Sequence, residues 1–229
     1  MTDPAPTLTT LRAPSSPRAA VLVAHGGRSS DTRASHRLQP TSLRMFPLTV
    51  RLARHGRDAR FAAYQLGYRL VGYNDGDPVA DVRWAVDEIG RRHGEVPVCL
   101  VGHSMGGRAC LRAAGHPAVA GAVGLAAWLP PGEPVEQLAG RDVVLVHGTR
   151  DRITDPGRSL LYALAAHPVA RRLCRFEIAG SGHAMLERAR LWHALAEAAV
   201  LGMLGIGPLD PRLAAGFAAP ADAAARIEL

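Results

Sequence analysis

The stretch "VCLVGHSMGGRAC", residues Val98 to Cys110, sets a single serine among glycines at the end of an apolar run. "VPVCLVG", Val96 to Gly102, reads as a strand, and "MGGRACLRAAG", from Met105, reads as a helix. Serine and glycine are ordinary punctuation between a strand and a helix, so Ser104 is either a helix start or an exposed nucleophile. The choice depends on whether the rest of the chain supplies partners for its hydroxyl.

Working outward, further short apolar runs alternate with segments of helical period. "AAVLVA" (Ala19 to Ala24), "RFAAYQLGYRL", "VAGAVGLAAWL", "DVVLVHG" and "CRFEIAG" read as strands. "TSLRMFPLTVRLARHG" reads as a helix with Leu43, Phe46, Val50 and Leu52 on its apolar face, a kink or late start at Pro47 and an end at Gly56. In "DPVADVRWAVDEIGRRHG", Asp77 is the expected cap, Pro78 fits the first turn, and Val79, Val82, Val86 and Ile89 form the stripe. "MLERARLWHALAEAAVLGML" reads as a long final helix. Strand–helix alternation of this kind predicts an α/β fold: a mostly parallel sheet, joined by right-handed crossovers and covered by helices on both faces.

In such a sheet, reactive groups collect beyond the C-terminal ends of the strands. Four of those ends carry unusual residues: His25-Gly26-Gly27, His103-Ser104-Met105, His147 to Asp151, and Ser181-Gly182-His183. Gly102-His103-Ser104-Met105-Gly106 matches the G-x-S-x-G turn in the required strand–turn–helix context, where glycines leave room for a sharp bend. The start of the following helix points free N–H groups at the same place. Serine needs a base to become a nucleophile, and His183 sits in a loop of small residues from which an imidazole can reach across. A carboxylate must hold that imidazole in one tautomer; Asp151 follows a strand end, whereas its rival Asp155 precedes Pro156 and serves as a helix cap. His103 is expected to project away from the reacting centre, His25 and His147 to fix turns, and His193 to belong to a helix face.

With GHSMGG, HGTRD followed by Pro156, GSGH, and an HG turn after the first core strand, the chain resembles the α/β-hydrolase superfamily of serine hydrolases over about Ala19 to Leu204. The resemblance implies Ser104 as nucleophile, His183 as general base and acid, and Asp151 as the orienting carboxylate. It also implies an oxyanion hole built from the N–H groups of Met105 and Gly27, each such donor worth about 2.7–4 kcal/mol at the transition state. The turn is HGGR where many lipases and esterases have HGGG, so the Arg28 N–H is an alternative second donor and its guanidinium an alternative contact for an anionic substrate group. Trp128 and Leu129 are candidates to line an acyl pocket. The link from Ala127 to Asp142 has room for a brief helix and no cap domain. Carboxylic ester or thioester hydrolysis through an acyl-enzyme is the implied activity. Acyl transfer, lyase or perhydrolase chemistry on the same residues, or ligand binding without catalysis, are the alternatives.

Bulk properties bound the rest. At 229 residues and 48% hydrophobic content the chain suits one globular domain, expected over 19–204, with a flexible arm over 1–18. Residues 205–229 form either a frayed tail or a short appended helix. A net charge of +7 and a pI near 10.3 raise nucleic acid as a partner. All 27 basic residues are arginines, scattered, with Arg91-Arg92 and Arg171-Arg172 the only adjacent pairs, and aromatics are 5%; nucleic-acid binding is therefore not expected. Lacking lysine, the chain cannot form a lysine Schiff base or use a P-loop lysine. No apolar run reaches membrane-spanning length, and no signal segment opens the chain. Three cysteines make no disulfide framework, and buried thiols in a cytoplasmic protein are the reading. No H-E-x-x-H or paired C-x-x-C is present, so neither metal nor other cofactor is expected, and a small acyl ester or thioester is the expected partner.

Overall fold

The computed structural model describes residues 4–55 and 61–229. Among these residues, eight strands form one sheet in the order β1-β3-β2-β4-β5-β6-β7-β8. They are β1 (Thr7–Arg12), β2 (Ala19–Ala24), β3 (Phe61–Gly67), β4 (Val98–His103), β5 (Val119–Leu125), β6 (Asp142–Gly148), β7 (Arg172–Ile178) and β8 (Ile227–Glu228). Only β1 runs antiparallel to its neighbour. The central strands are buried along their whole length, which is why they read as unbroken apolar runs. From β2 the chain passes to β3 on one side of it, then returns to β4 on the other. The strand order therefore reverses between β2 and β4, where an open parallel sheet leaves a crevice at its C-terminal edge.

Among the described residues, seven helices connect and cover the strands: α1 (Pro40–His55), α2 (Asp77–His93), α3 (Met105–Ala113), α4 (Pro156–Ala166), α5 (Ala189–Met203), α6 (Pro211–Ala218) and α7 (Ala221–Ala224). Side chains of α2, α3 and α4 form the core on one sheet face with Leu22, Tyr64 and Leu100. On the other face, α1, α5 and α6 pack on Val21, Val101 and Phe176, with Trp192 fully buried. Each such large apolar side chain contributes about 1.5–3 kcal/mol on burial. Between Ala127 and Asp142 there is a single 3-10 turn, Glu136–Leu138, and no inserted domain.

Several local expectations change. The supposed N-terminal arm carries β1, whose threonines and leucines pair with β3 from Thr7↔Gly67 to Arg12↔Ala63. For the C-terminal segment the short-helix alternative holds, as α6 and α7, and the segment is built into the fold. Leu213 is buried, β8 pairs with β7, and the fully buried Arg175 guanidinium donates to Ala225 O at 3.0 Å. In α1 the buried face is Ser42, Met45, Leu48, Thr49 and Leu52, while Leu43 and Phe46 are exposed. Two small polar residues are tolerated inside because Gln65 of β3 meets them: its amide donates to Ser42 O at 2.8 Å, and its carbonyl accepts from Thr49 Oγ1 at 3.2 Å. Pro47 lies within α1, and the Gly56 expected to end it is outside the described residues. The cap of α2 is Gly76 in a left-handed conformation, with Asp77 one place inside. Helix α5 starts at Ala189, four residues later than its pattern suggests, because Met185 and Arg188 both take positive φ.

Candidate active site

Ser104 sits at the bend between β4 and α3 with φ 55° and ψ −119°. Positive φ at a non-glycine residue costs about 1–3 kcal/mol and persists only where neighbours hold it. Here the Ser104 N–H donates to Leu125 O at 2.9 Å, and Ser104 O accepts from Trp128 N at 3.0 Å. The flanking glycines are sterically required. A Cβ on Gly102 would lie 2.2 Å from Gly106 O, and one on Gly106 would lie 2.4 Å from His25 O.

His183 is carried by the loop after β7, and that loop is fastened from several sides. Ser181 Oγ donates to Glu187 O at 2.9 Å and accepts from Trp192 Nε1 at 2.8 Å, while Arg44 of α1 donates to Ala184 O at 2.6 Å. The His183 carbonyl accepts from His103 Nε2 at 2.9 Å. Because a carbonyl cannot donate, His103 carries its proton on Nε2. Burial, together with the neighbouring His183, pushes the His103 imidazole down to about 3. Neutral His103 is thus a strut beneath His183, its ring centroid 4.8 Å away.

Held in this way, His183 Nε2 lies 3.1 Å from Ser104 Oγ, and His183 Nδ1 lies 2.8 Å from Asp151 Oδ2. Asp151 Oδ1 accepts the N–H groups of Ile153 at 2.8 Å and Thr154 at 2.9 Å. Its Oδ2 also takes the Thr154 hydroxyl at 2.8 Å and faces His147 Nε2 at 3.2 Å. Burial alone would raise the Asp151 carboxyl, but the bonds from His147, His183 and the two N–H groups together outweigh it. The carboxyl is held well below the usual carboxylate range. An ionised Asp151 accepts from Nδ1–H of His183 and so leaves the Nε2 lone pair facing Ser104.

His147 and Thr154 were missed as parts of this arrangement in the sequence, where His147 reads only as a turn residue. The available signal was the four-residue spacing of His147 and Asp151 around the turn after β6. His25 stays a turn residue, with Nδ1 2.6 Å from Gly26 O, and burial pushes it down to about 4. Asp155 caps α4, accepting from Gly157 N at 2.8 Å. All three cysteines are buried and free.

Gly27 and Met105 are close neighbours: a Cβ on Gly27 would lie 2.5 Å from Met105 Sδ and 2.3 Å from Val71 O. Among the described residues, no acceptor of the fold takes either of their N–H groups. Arg28 differs, because its N–H is committed to Val71 O at 3.1 Å, which removes it as the second donor. The Arg28 side chain is 69% exposed, with Asp31 3.8 Å away. Leu129 is buried in the core of the α2–α3–α4 face, and Trp128 packs beside it against Tyr73. Among the described residues, no group of three His, Cys, Asp or Glu side chains is placed to hold a metal ion, and no helix is long and apolar enough to cross a membrane.

Strand order, crossovers and the bend at Ser104 are those of an α/β hydrolase. The family model described as serine aminopeptidase, S33, matches residues 15–142, and the chain belongs to this hydrolase family. That match includes Ser104 and stops before Asp151 and His183. Among solved structures, a thermophilic esterase from Thermogutta terrifontis superposes with a TM-score of 0.65 at 17% identity, covering 90% of each chain. An acetyl ester-xyloside bifunctional hydrolase from Caldicellulosiruptor lactoaceticus gives 0.64 at 15% identity, covering 88% of this chain and 89% of its own. An alpha-beta serine hydrolase homologue from Coxiella burnetii gives 0.60 at 14%, covering 85% and 91%. At these identities the likeness is one of fold. No curated protein sequence matches the chain.

Proposed function

We propose that the chain is a serine hydrolase that cleaves carboxylic esters or thioesters through an acyl-enzyme on Ser104. The observation that carries this reading is the continuous run of contacts from Ser104 Oγ to His183 Nε2 at 3.1 Å and from His183 Nδ1 to Asp151 Oδ2 at 2.8 Å. As Oγ attacks the substrate carbonyl carbon, Nε2 takes the hydroxyl proton, and Asp151 stabilises the imidazolium that forms. The carbonyl oxygen becomes an oxyanion that accepts from the Gly27 and Met105 N–H groups. Collapse of the tetrahedral intermediate breaks the bond to the leaving oxygen or sulfur, which takes the proton from Nε2. Water then gives a proton to Nε2 and attacks the acyl carbon, and the acid departs as Ser104 regains its proton. The fold shared with the Thermogutta terrifontis esterase and the Caldicellulosiruptor lactoaceticus acetyl ester-xyloside hydrolase supports this reading.

The test is labelling with a fluorophosphonate probe alongside turnover of p-nitrophenyl acetate, an acetyl thioester and an aminoacyl p-nitroanilide. Wild type is expected to label on Ser104 and to turn over the ester or thioester, and Ser104→Ala to lose both properties. Labelling that persists in Ser104→Ala would remove the nucleophile. Turnover of the anilide alone would move the substrate from esters to amides.

A further inference from the structure

We propose that Tyr73, Arg108 and Trp128 form a filled wall at the end of the acyl subsite and restrict this hydrolase to short acyl groups. The inference rests on the reading of Ser104 given above. Arg108 lies one helical turn beyond Ser104 on α3, and its N–H donates to Ser104 O at 3.2 Å. Long side chains on a helix lean toward its N-terminus, so the Arg108 guanidinium returns toward the Ser104 end. There it lies over two aromatic rings, with Cζ 3.9 Å from the Tyr73 centroid and 4.5 Å from that of Trp128. The two rings meet edge to face at 5.6 Å. Glu133 closes the assembly through ion pairs with Arg108 and, at 2.8 Å, with Arg112.

Each member is tied to the reacting centre by main chain. Trp128 N–H donates to Ser104 O, and Tyr73 N–H donates at 2.8 Å to the carbonyl of Arg28, the residue after Gly27. The block also stands on a definite side. Tyr73 and Trp128 belong to the α2–α3–α4 layer, whereas the loop bearing His183 packs through Met185 with the α1–α5 layer and meets Trp192 of α5 through the Ser181 hydroxyl. Since His183 delivers a proton to the leaving group, the leaving group points toward the α1–α5 side. The acyl substituent points the other way, at the block.

A wall of this kind does not yield easily. Tyr73 is 4% exposed and the Arg108 side chain 13%, and moving the guanidinium would break an ion pair to a Glu133 side chain that is 3% exposed. A surface pocket of about 250 Å³, lined also by Leu129, Pro131, Leu161 and Tyr162, shares Glu133 with the block.

The experiment is kcat/KM for p-nitrophenyl esters from acetyl to octanoyl on wild type, Trp128→Ala and Arg108→Ala. Wild type is expected to favour acetyl to butanoyl over octanoyl by at least 100-fold, a floor that two poorly accommodated methylene groups at roughly tenfold each already reach. In the two variants the octanoyl-to-acetyl ratio is expected to rise at least tenfold. A wild-type profile that is flat or favours octanoyl overturns the wall without any variant having to fold, as does an unchanged ratio in both folded variants. Failure of every ester together with absent fluorophosphonate labelling would instead overturn the hydrolase reading, and this inference with it.

Discussion

Asp151→Asn is the substitution whose consequence the geometry determines most closely. Asp151 Oδ1 accepts two main-chain N–H groups, from Ile153 and Thr154, at 2.8 and 2.9 Å. An asparagine at 151 keeps both bonds only with its carbonyl oxygen there; the Thr154 hydroxyl that Oδ2 also accepts can turn to Ala126 O at 3.1 Å. Reversing the amide would leave both N–H groups without an acceptor, at about 1–3 kcal/mol each, or about 2–6 kcal/mol together. With the oxygen so fixed, the NH2 group takes the Oδ2 position, 2.8 Å from His183 Nδ1. It can only donate there, so Nδ1 must be the unprotonated nitrogen, and the proton moves to Nε2, facing Ser104 Oγ. The imidazole then has no lone pair with which to accept the serine proton. Holding the wrong tautomer at a site of this type costs about 10⁴-fold in kcat. That factor is about 5.4 kcal/mol, within the range set by the two N–H groups. The assay is kcat for p-nitrophenyl acetate, with thermal unfolding followed by circular dichroism to show that the variant is folded. Asp155→Asn, which touches only the cap of α4, is the comparison and should keep turnover within a few-fold of wild type. A folded Asp151→Asn protein within tenfold of wild type would refute the reasoning. A large loss in Asp155→Asn alone would transfer the role to that residue.

Two further outcomes follow from burial and close contact. Folding pushes His103 down to about 3 and His25 down to about 4, so below pH 6.5 the unfolded chain binds protons that the folded protein refuses. Their stabilising effect is complete above pH 6.5 and is lost as pH falls; at pH 5 each costs about 2 kcal/mol at 1.36 kcal/mol per pH unit. Urea unfolding at pH 7.5 and 5 should therefore show His103→Asn losing about 2 kcal/mol less than wild type over that interval, and equal losses would contradict the buried neutral imidazole. Gly106→Ala puts a Cβ 2.4 Å from His25 O and 2.7 Å from Ala24 O, against main chain at the end of β2. It should destabilise the fold by about 1–3 kcal/mol or more in the same unfolding experiment, and a change under 0.5 kcal/mol would mean that the bend relaxes freely.

The sheet and most of its crossovers were legible because their signals are local. Buried parallel strands are short apolar runs, and α2 and α4 announce themselves by proline in the first turn. The bend at Ser104 was legible for the same reason: Gly102 and Gly106 are needed by chain within a few residues of them and by the adjoining end of β2. The positions of Ser104, Asp151 and His183 after the ends of β4, β6 and β7 could also be read, because a parallel α/β sheet gathers those ends on one edge. Their mutual distances could not.

What only the tertiary structure decided is which side chains meet across distant chain segments. Composition marked residues 1–18 as loose and left 205–229 open between a frayed tail and a short helix, yet β1 and β8 find strand partners in the sheet, and buried Arg175 ties in Ala225. Helix α1 carries apolar residues on two faces, and Gln65 made the one with Ser42 and Thr49 the buried one. The pairing of His147 and Thr154 with Asp151, and the stacking of Arg108 between Tyr73 and Trp128, likewise depend on how turns after different strands pack together. Periodicity and turn chemistry act over a few residues and so are written in the sequence. Burial and hydrogen-bond satisfaction are properties of the packed molecule, and they choose partners only once the chain has closed on itself.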